Sequence, residues 1–203
     1  KKCYSPGRRR KKYKSKDFRS LKKAVCRGDV KKMTDILERG QVQPDVDLFG
    51  NGTTCLMYIM AFEYEHGEDN ITDTLAQMIN VLLKKGATIN AVDNKGNTAM
   101  CYGIQTADPE LVQLLLENGA DAGLRNCDDK SPLDLAVDAV MEFGGPSTVK
   151  KLLRKDDEDV LWHQEKIILL LAYCPDLTCK TEKGDRVVHT LVKDYNNRYA
   201  ENQ

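Results

Sequence analysis

The sequence predicts an all-α solenoid: a row of repeated helix pairs, interrupted by two insertions that fall between the first and second helix of a pair. Two observations carry this prediction. The stretch Leu82–Ala99 ("LLKKGATINAVDNKGNTA") is nearly rewritten at Leu114–Pro132 ("LLLENGADAGLRNCDDKSP"), and the Gly-Ala pairs beginning at Gly86 and Gly119 lie 33 residues apart. A period in that range marks supersecondary units that cannot bury their apolar faces alone and must stack. Leucine pairs also recur in register, at Leu82-Leu83, Leu115-Leu116 and Leu170-Leu171, as a continuous core requires.

The first unit, about 17–46, shows only a helix pair. Leu21, Ala24 and Val25 precede the turn Arg27–Asp29, and Met33, Ile36 and Leu37 precede Gly40. It reads as a capping unit. The second, about 47–92, opens on "GTTCLMYIM" with Thr54 and Leu56, and its second helix runs through Met78, Ile79, Val81, Leu82 and Leu83 to Gly86. The third, about 93–125, is the clearest. Asp93–Gly96 suits a tight turn and Thr98 caps a helix. Asp108-Pro109 starts a second helix with proline in its harmless first turn, and Asn118-Gly119 closes it. The fourth, about 126–180, begins at "KSPLDLA" with Asp134. The last, 181–203, carries Gly184, Val188 and His189 and is partial. The array covers 17–195 and follows a basic segment, 1–16.

Two spacings depart from 33. Thr54 to Thr98 is 44 residues, with the excess near 63–72 ("EYEHGEDNIT"). Ser131 to Arg186 is 55, with the excess near 141–160, where a Gly-Gly-Pro turn precedes a run able to lengthen the second helix. Lengthening a surface loop costs little entropy, about 0.6 kcal/mol per doubling, so both are tolerable and both are candidate functional elements.

This pattern resembles the ankyrin repeat, whose unit reads roughly D-x-x-G-x-T-P-L-H-x-A-A-x-x-G and closes on L-L-x-x-G-A-D. Ser131-Pro132-Leu133 stands for its Thr-Pro-Leu, Asp134 replaces the usual histidine, and His189 alone keeps it. The resemblance implies an ankyrin-repeat solenoid that binds a partner protein or extended peptide on a concave surface of loop tips and first helices. It places the variable positions at Asn94, Lys95, Asn97 and Gln105 in the third unit and at Asp128 and Lys130 in the fourth. Tyr58 and Tyr102 occupy one equivalent first-helix position. They would either form a two-step aromatic ladder on the concave side or pack on their own hairpins. Phe62, just before the first insertion, is the better lone apolar contact. Docking of the array on another part of a longer chain is a further expectation, since the sequence begins at Lys1 rather than Met and reads as an excised segment.

Composition narrows the classes. With 41% hydrophobic and 31% charged residues, the chain is globular rather than disordered. Its longest apolar run, Ile167–Tyr173, falls far short of the ~20 residues of a membrane span. Seven scattered cysteines form no paired framework or metal-spaced set, so free thiols in an intracellular compartment, nuclear or cytoplasmic, are expected. No metal or cofactor is implied. Three histidines, and no nucleophile elbow, phosphate-binding loop or HExxH, argue against catalysis. Net charge is zero but uneven: residues 1–23 hold twelve basic residues and one acid, and the remainder an equal acidic excess. The run 7–16 ("GRRRKKYKSK") suits a nuclear-import signal, contact with nucleic acid or an anionic membrane surface, or a solvated tail. The acidic body, with Glu63, Glu65, Glu68 and Asp69, would suit a basic partner.

Overall fold

The computed structural model of the chain describes residues 16–62, 71–144 and 158–173, together with position 188. Among these residues there are eight helices and no strand. They fall in pairs: α1 (Lys16–Cys26) with α2 (Val30–Glu38), α3 (Cys55–Met60) with α4 (Ile71–Lys84), α5 (Ala99–Thr106) with α6 (Pro109–Glu117), and α7 (Pro132–Gly144) with α8 (Glu158–Tyr173). First helices pack on first helices, α1 on α3, α3 on α5 and α5 on α7. Second helices pack on second helices, α2 on α4, α4 on α6 and α6 on α8. Two rows result, an A-row and a B-row, which is the all-α solenoid the repeat spacing predicts.

Local chemistry repeats with the units. Thr54 and Thr98 are extended residues whose hydroxyls accept the amides of Met57 and Cys101, each at 3.3 Å. Ser131 does the same for Asp134 at 3.2 Å. A hydroxyl at this position satisfies one of the orphan amides of a helix start and contributes ~1 kcal/mol. Pro109 occupies the first turn of α6, as expected, behind Asp108. Asp108 also accepts the Thr72 hydroxyl, tying the starts of two B-row helices together.

The core runs between the rows without a break. Leu21, Leu56, Leu82, Ile104, Leu115 and Leu170 are almost wholly buried, one or two from each unit. Each such side chain contributes ~1.5–3 kcal/mol when taken from water. Of the six leucines expected in that core, Leu82, Leu115, Leu116 and Leu170 are buried; Leu83 and Leu171 pack against it only in part.

The expected insertions lie between α3 and α4 and between α7 and α8. Residues 63–70 and 145–157 fall outside the described residues, as do the basic run up to 15 and the last unit except Val188. The flanking helices take up part of the two ranges. Ile71 and Thr72 already belong to α4, α7 continues through Gly144, and α8 starts at Glu158.

Two glycines set how closely the hairpin tips stack. Gly52 (φ +87°) lies against the next tip, where a Cβ would stand 3.0 Å from Asp93 Cα. Gly96 (φ +75°) repeats this, 3.0 Å from Cys127 N and 3.2 Å from Asn126 Cα. Gly86 has a similar φ of +83° with open space around it. Gly86→Ala should therefore lose only the ~1–2 kcal/mol of a left-handed backbone. Gly96→Ala should lose more, because backbone must also move. Urea midpoints of the two variants measure the difference, and equal losses would contradict this account of the stacking.

Candidate functional site

Successive tips are hydrogen-bonded into one ladder. Within a tip, Asp93 N donates to Asn97 O and Asn126 N to Lys130 O, each at 3.0 Å. Between tips, Asn94 N donates to Asn51 O at 3.0 Å and Cys127 N to Lys95 O at 2.8 Å. Side chains complete the turns. Asp93 Oδ1 accepts the amides of Lys95 and Asn97 at 2.8 Å, and Asn126 Oδ1 accepts those of Asp128 and Lys130 at 3.0 Å. Asn126 Nδ2 then donates to Asn97 Oδ1 at 2.9 Å. Asp and Asn favour such turns because their short side chains hydrogen-bond the backbone two residues on.

This ladder presents Asn94, Lys95, Asp128 and Lys130 as exposed side chains, with Gln105 exposed on α5 beside them. Lys130 Nζ lies 2.7 Å from Asp138 on α7, and both side chains are about half exposed, at 47% and 46%. Asn97 is half-buried and occupied in joining the tips. The Lys130–Asp138 pair thus joins the fourth tip to an A-row helix.

Of the two arrangements open to the tyrosines, the described contacts favour local packing. Tyr102 donates its hydroxyl to Asp93 Oδ2 at 2.6 Å, inside its own unit. Burial, then the Asp93 carboxylate, pushes that phenol up to about 12. Tyr58 instead joins aromatic residues of its own unit. Its ring centroid lies 5.4 Å from that of Phe49 and 6.2 Å from that of Phe62. The neighbouring Cys26 thiol, then burial, pushes the Tyr58 phenol up to about 12. Lys22 Nζ sits 3.9 Å above the Phe49 ring and donates to Leu48 O at 3.0 Å. Phe49 and Lys22 were not among the residues expected at the site. The signal available was a phenylalanine directly ahead of the tip "GNG", where the third and fourth units carry Asp93 and Asn126.

The described residues carry other chemistry sparingly. They include no cluster of three or more His, Cys, Asp or Glu able to hold a metal ion. Burial pushes the Cys55 thiol up to about 12, so it is a packing group rather than a thiolate. His66 and His189 lie outside the described residues. On the B-row, α4 and α6 border an open hollow of about 190 Å³ lined by Thr72, Asp73, Glu110 and Glu117 among others. That is below the ~300–1,000 Å³ of small-molecule sites. No described helix is long and apolar enough to cross a membrane.

A family model for ankyrin repeats (three copies) matches residues 21–126 and 71–164. The chain is 33% identical over 117 residues to Alpha-latroinsectotoxin-Lt1a of Latrodectus tredecimguttatus, covering 57% of this chain and 8% of the toxin. It is 33% identical over 63 residues to the NAD-capped RNA hydrolase NUDT12 of Homo sapiens, covering 31% of this chain and 14% of the hydrolase. It is 27% identical over 154 residues to Ankyrin repeat and SOCS box protein 6 of Homo sapiens, covering 64% of this chain and 37% of that protein. The chain thus spans a minor part of the length of each of these relatives.

Proposed function

This chain belongs to the ankyrin-repeat family, whose repeats are in general protein-interaction modules, and we propose that its array binds a partner protein without catalysis. The partner lies as an extended segment across the tips and the A-row, contacting Tyr58, Phe62, Asn94, Lys95, Asn97, Tyr102, Gln105, Asp128 and Lys130. The observation that carries this reading is the hydrogen-bonded tip ladder. A surface held in shape before binding loses little conformational entropy on association, and here the ladder holds exposed polar and charged side chains at regular intervals. The array works as a scaffold or adaptor inside the cell, where the free thiols Cys26, Cys55, Cys101 and Cys127 would stay reduced.

The test compares two sets of substitutions. Phe62→Ala with Lys95→Glu and Lys130→Glu should weaken capture of the partner at least tenfold, about 1.4 kcal/mol, with the urea midpoint nearly unchanged. Glu110→Ala with Gln113→Ala, on the B-row, should leave capture intact. The reverse pattern would move the site to the B-row. A second reading assigns the contact to the basic run, with nucleic acid or an anionic membrane as the partner and the repeats as a positioning device. The twelve basic residues within 1–23 favour it. Deleting residues 1–15 separates the two, because capture through the array survives the deletion. Docking on another part of a longer chain would use the same side and would compete with the partner for it.

A further inference from the structure

The corner where the first two units meet differs from the rest of the A-row side. Phe49 is 46% exposed at its tip and is continued by Tyr58 and Phe62, so that three rings run from the tip to the end of α3. Helix α3 itself carries no charge. The border of this aromatic ledge comes from α1. Lys22 stands over Phe49, held there by the Leu48 carbonyl, and keeps further N–H donors for a ligand. Arg19 lies one turn earlier on the same helix face, and Lys23 is its neighbour. Both are exposed, and neither forms an ion pair among the described residues. Of the described carboxylates close by, Asp17 lies 3.9 Å from Arg39, and Asp47 accepts the amides of Phe49 and Gly50; the acidic run that follows Phe62 lies outside the described residues.

An apolar ledge alone would not identify its occupant; the sign of its α1 border, the part of the border that is described, points to one. We propose that this corner receives an acidic segment of the partner protein. An aromatic or long aliphatic side chain of that segment lies on Phe49, Tyr58 and Phe62, and its flanking carboxylates face Lys22 and Arg19. The proposal rests on the reading of the tip and A-row side as the partner surface, and adds which end of it grips and what chemistry it selects. Lys22 suits the task because its ammonium is already fixed over a ring, so a carboxylate meets an ordered charge partly shielded from water, where ion pairing is stronger.

The experiment is a selection of random dodecapeptides displayed on phage against the immobilised full chain, followed by affinity measurement on synthetic copies. Enriched peptides should share an aromatic or aliphatic residue within a few positions of Asp or Glu. Their affinity should fall at least tenfold on Phe49→Ala or Lys22→Glu, and should weaken as salt is raised. Phe49→Ala, at an exposed position, carries the test even if Lys22→Glu loosens the tip. Peptides without acidic residues, peptides insensitive to both substitutions, or no enrichment would overturn the proposal. So would oligo(dT) binding, or self-association, that the same substitutions abolish, since these assign the corner to nucleic acid or to a second copy. Peptides that ignore Phe49 and Lys22 but respond to Lys130→Glu remove this proposal and leave the broader surface standing. Peptides insensitive to all of these remove both.

Discussion

The array should gain about 2 kcal/mol of stability between pH 7 and pH 9, and Lys166→Met should abolish most of that gain. Lys166 on α8 is fully buried. Its ammonium reaches Ile104 O at 3.1 Å and Gly103 O at 3.5 Å, in the last turn of α5, where Gly103 O also accepts the amide of the capping residue Ala107. Burial lowers its pKa from 10.5 to about 7, and attraction to Asp108 opposes part of that fall. The sign follows from proton counting. Above about pH 7 the folded chain has released this proton, while the unfolded chain holds it up to about 10.5. Stability therefore rises with pH across that window, by at most ~1.4 kcal/mol per unit, and the gain is lost as pH falls to 7. Cys55 acts in the opposite sense. Its thiol is raised from 9.0 to about 12, so the unfolded chain deprotonates first and stability falls above pH 9. Tyr58 and Tyr102, raised from 10.0 to about 12, add to that fall at higher pH. The clean window is thus pH 7 to 9. Urea midpoints followed by circular dichroism measure it in both proteins. The slope is the readout, because methionine also leaves the Ile104 carbonyl without its lysine. A variant that keeps the wild-type slope would contradict the assignment.

Asp134→Ala should cost about 2–3 kcal/mol. Asp134 Oδ2 accepts Arg125 Nη1 at 2.8 Å, the Ser131 amide at 2.9 Å and the Ser131 hydroxyl at 2.8 Å, in a setting only 8% exposed. The Ser131 hydroxyl in turn accepts the Asp134 amide, giving the reciprocal cap that starts α7. Arg125 also donates to Asp129 O at 2.8 Å, and Asp129 holds a φ of +60°. Removing the carboxylate thus leaves a guanidinium without its counter-charge and loosens a strained turn. The loss stays below the range for a fully buried pair because the Arg125 side chain is 33% exposed. Asp134→Asn keeps an acceptor for the Ser131 amide and should cost less. Chemical denaturation of the two variants checks the order, and a loss under about 0.5 kcal/mol for alanine would overturn it.

How far the sequence discloses such features depends on whether they are periodic. Thr98, Pro109 and Gly119 were legible because caps and breakers act within a few residues. The A-row and B-row follow from the 33-residue spacing, because stacking is forced once each unit has two apolar faces. Leu83 and Leu171 show the limit, since the helix phase decides whether the second leucine of a pair reaches the core, as Leu116 does and these two do not. Phe49 and Lys22 were hidden for another reason. Their contact joins α1 to a tip 27 residues away, and nothing in the repeat period encodes it. Lys166 sits beside the run "IILLL", where a lysine reads as the solvated face, yet the packing of α7 and α8 brings it to the end of α5. Tyr102 matches Tyr58 in register, but Asp93 binds its hydroxyl, whereas the corresponding position of the second unit is Phe49, which packs on the Tyr58 ring instead.

Amide hydrogen exchange of the array with and without its captured partner tests the central claim most directly. The account predicts slowed exchange at the tips around 47–53, 93–98 and 126–131 and along α3 and α5, with α4 and α6 unchanged. Slowed exchange confined to α4 and α6, with the tips unaffected, would contradict it.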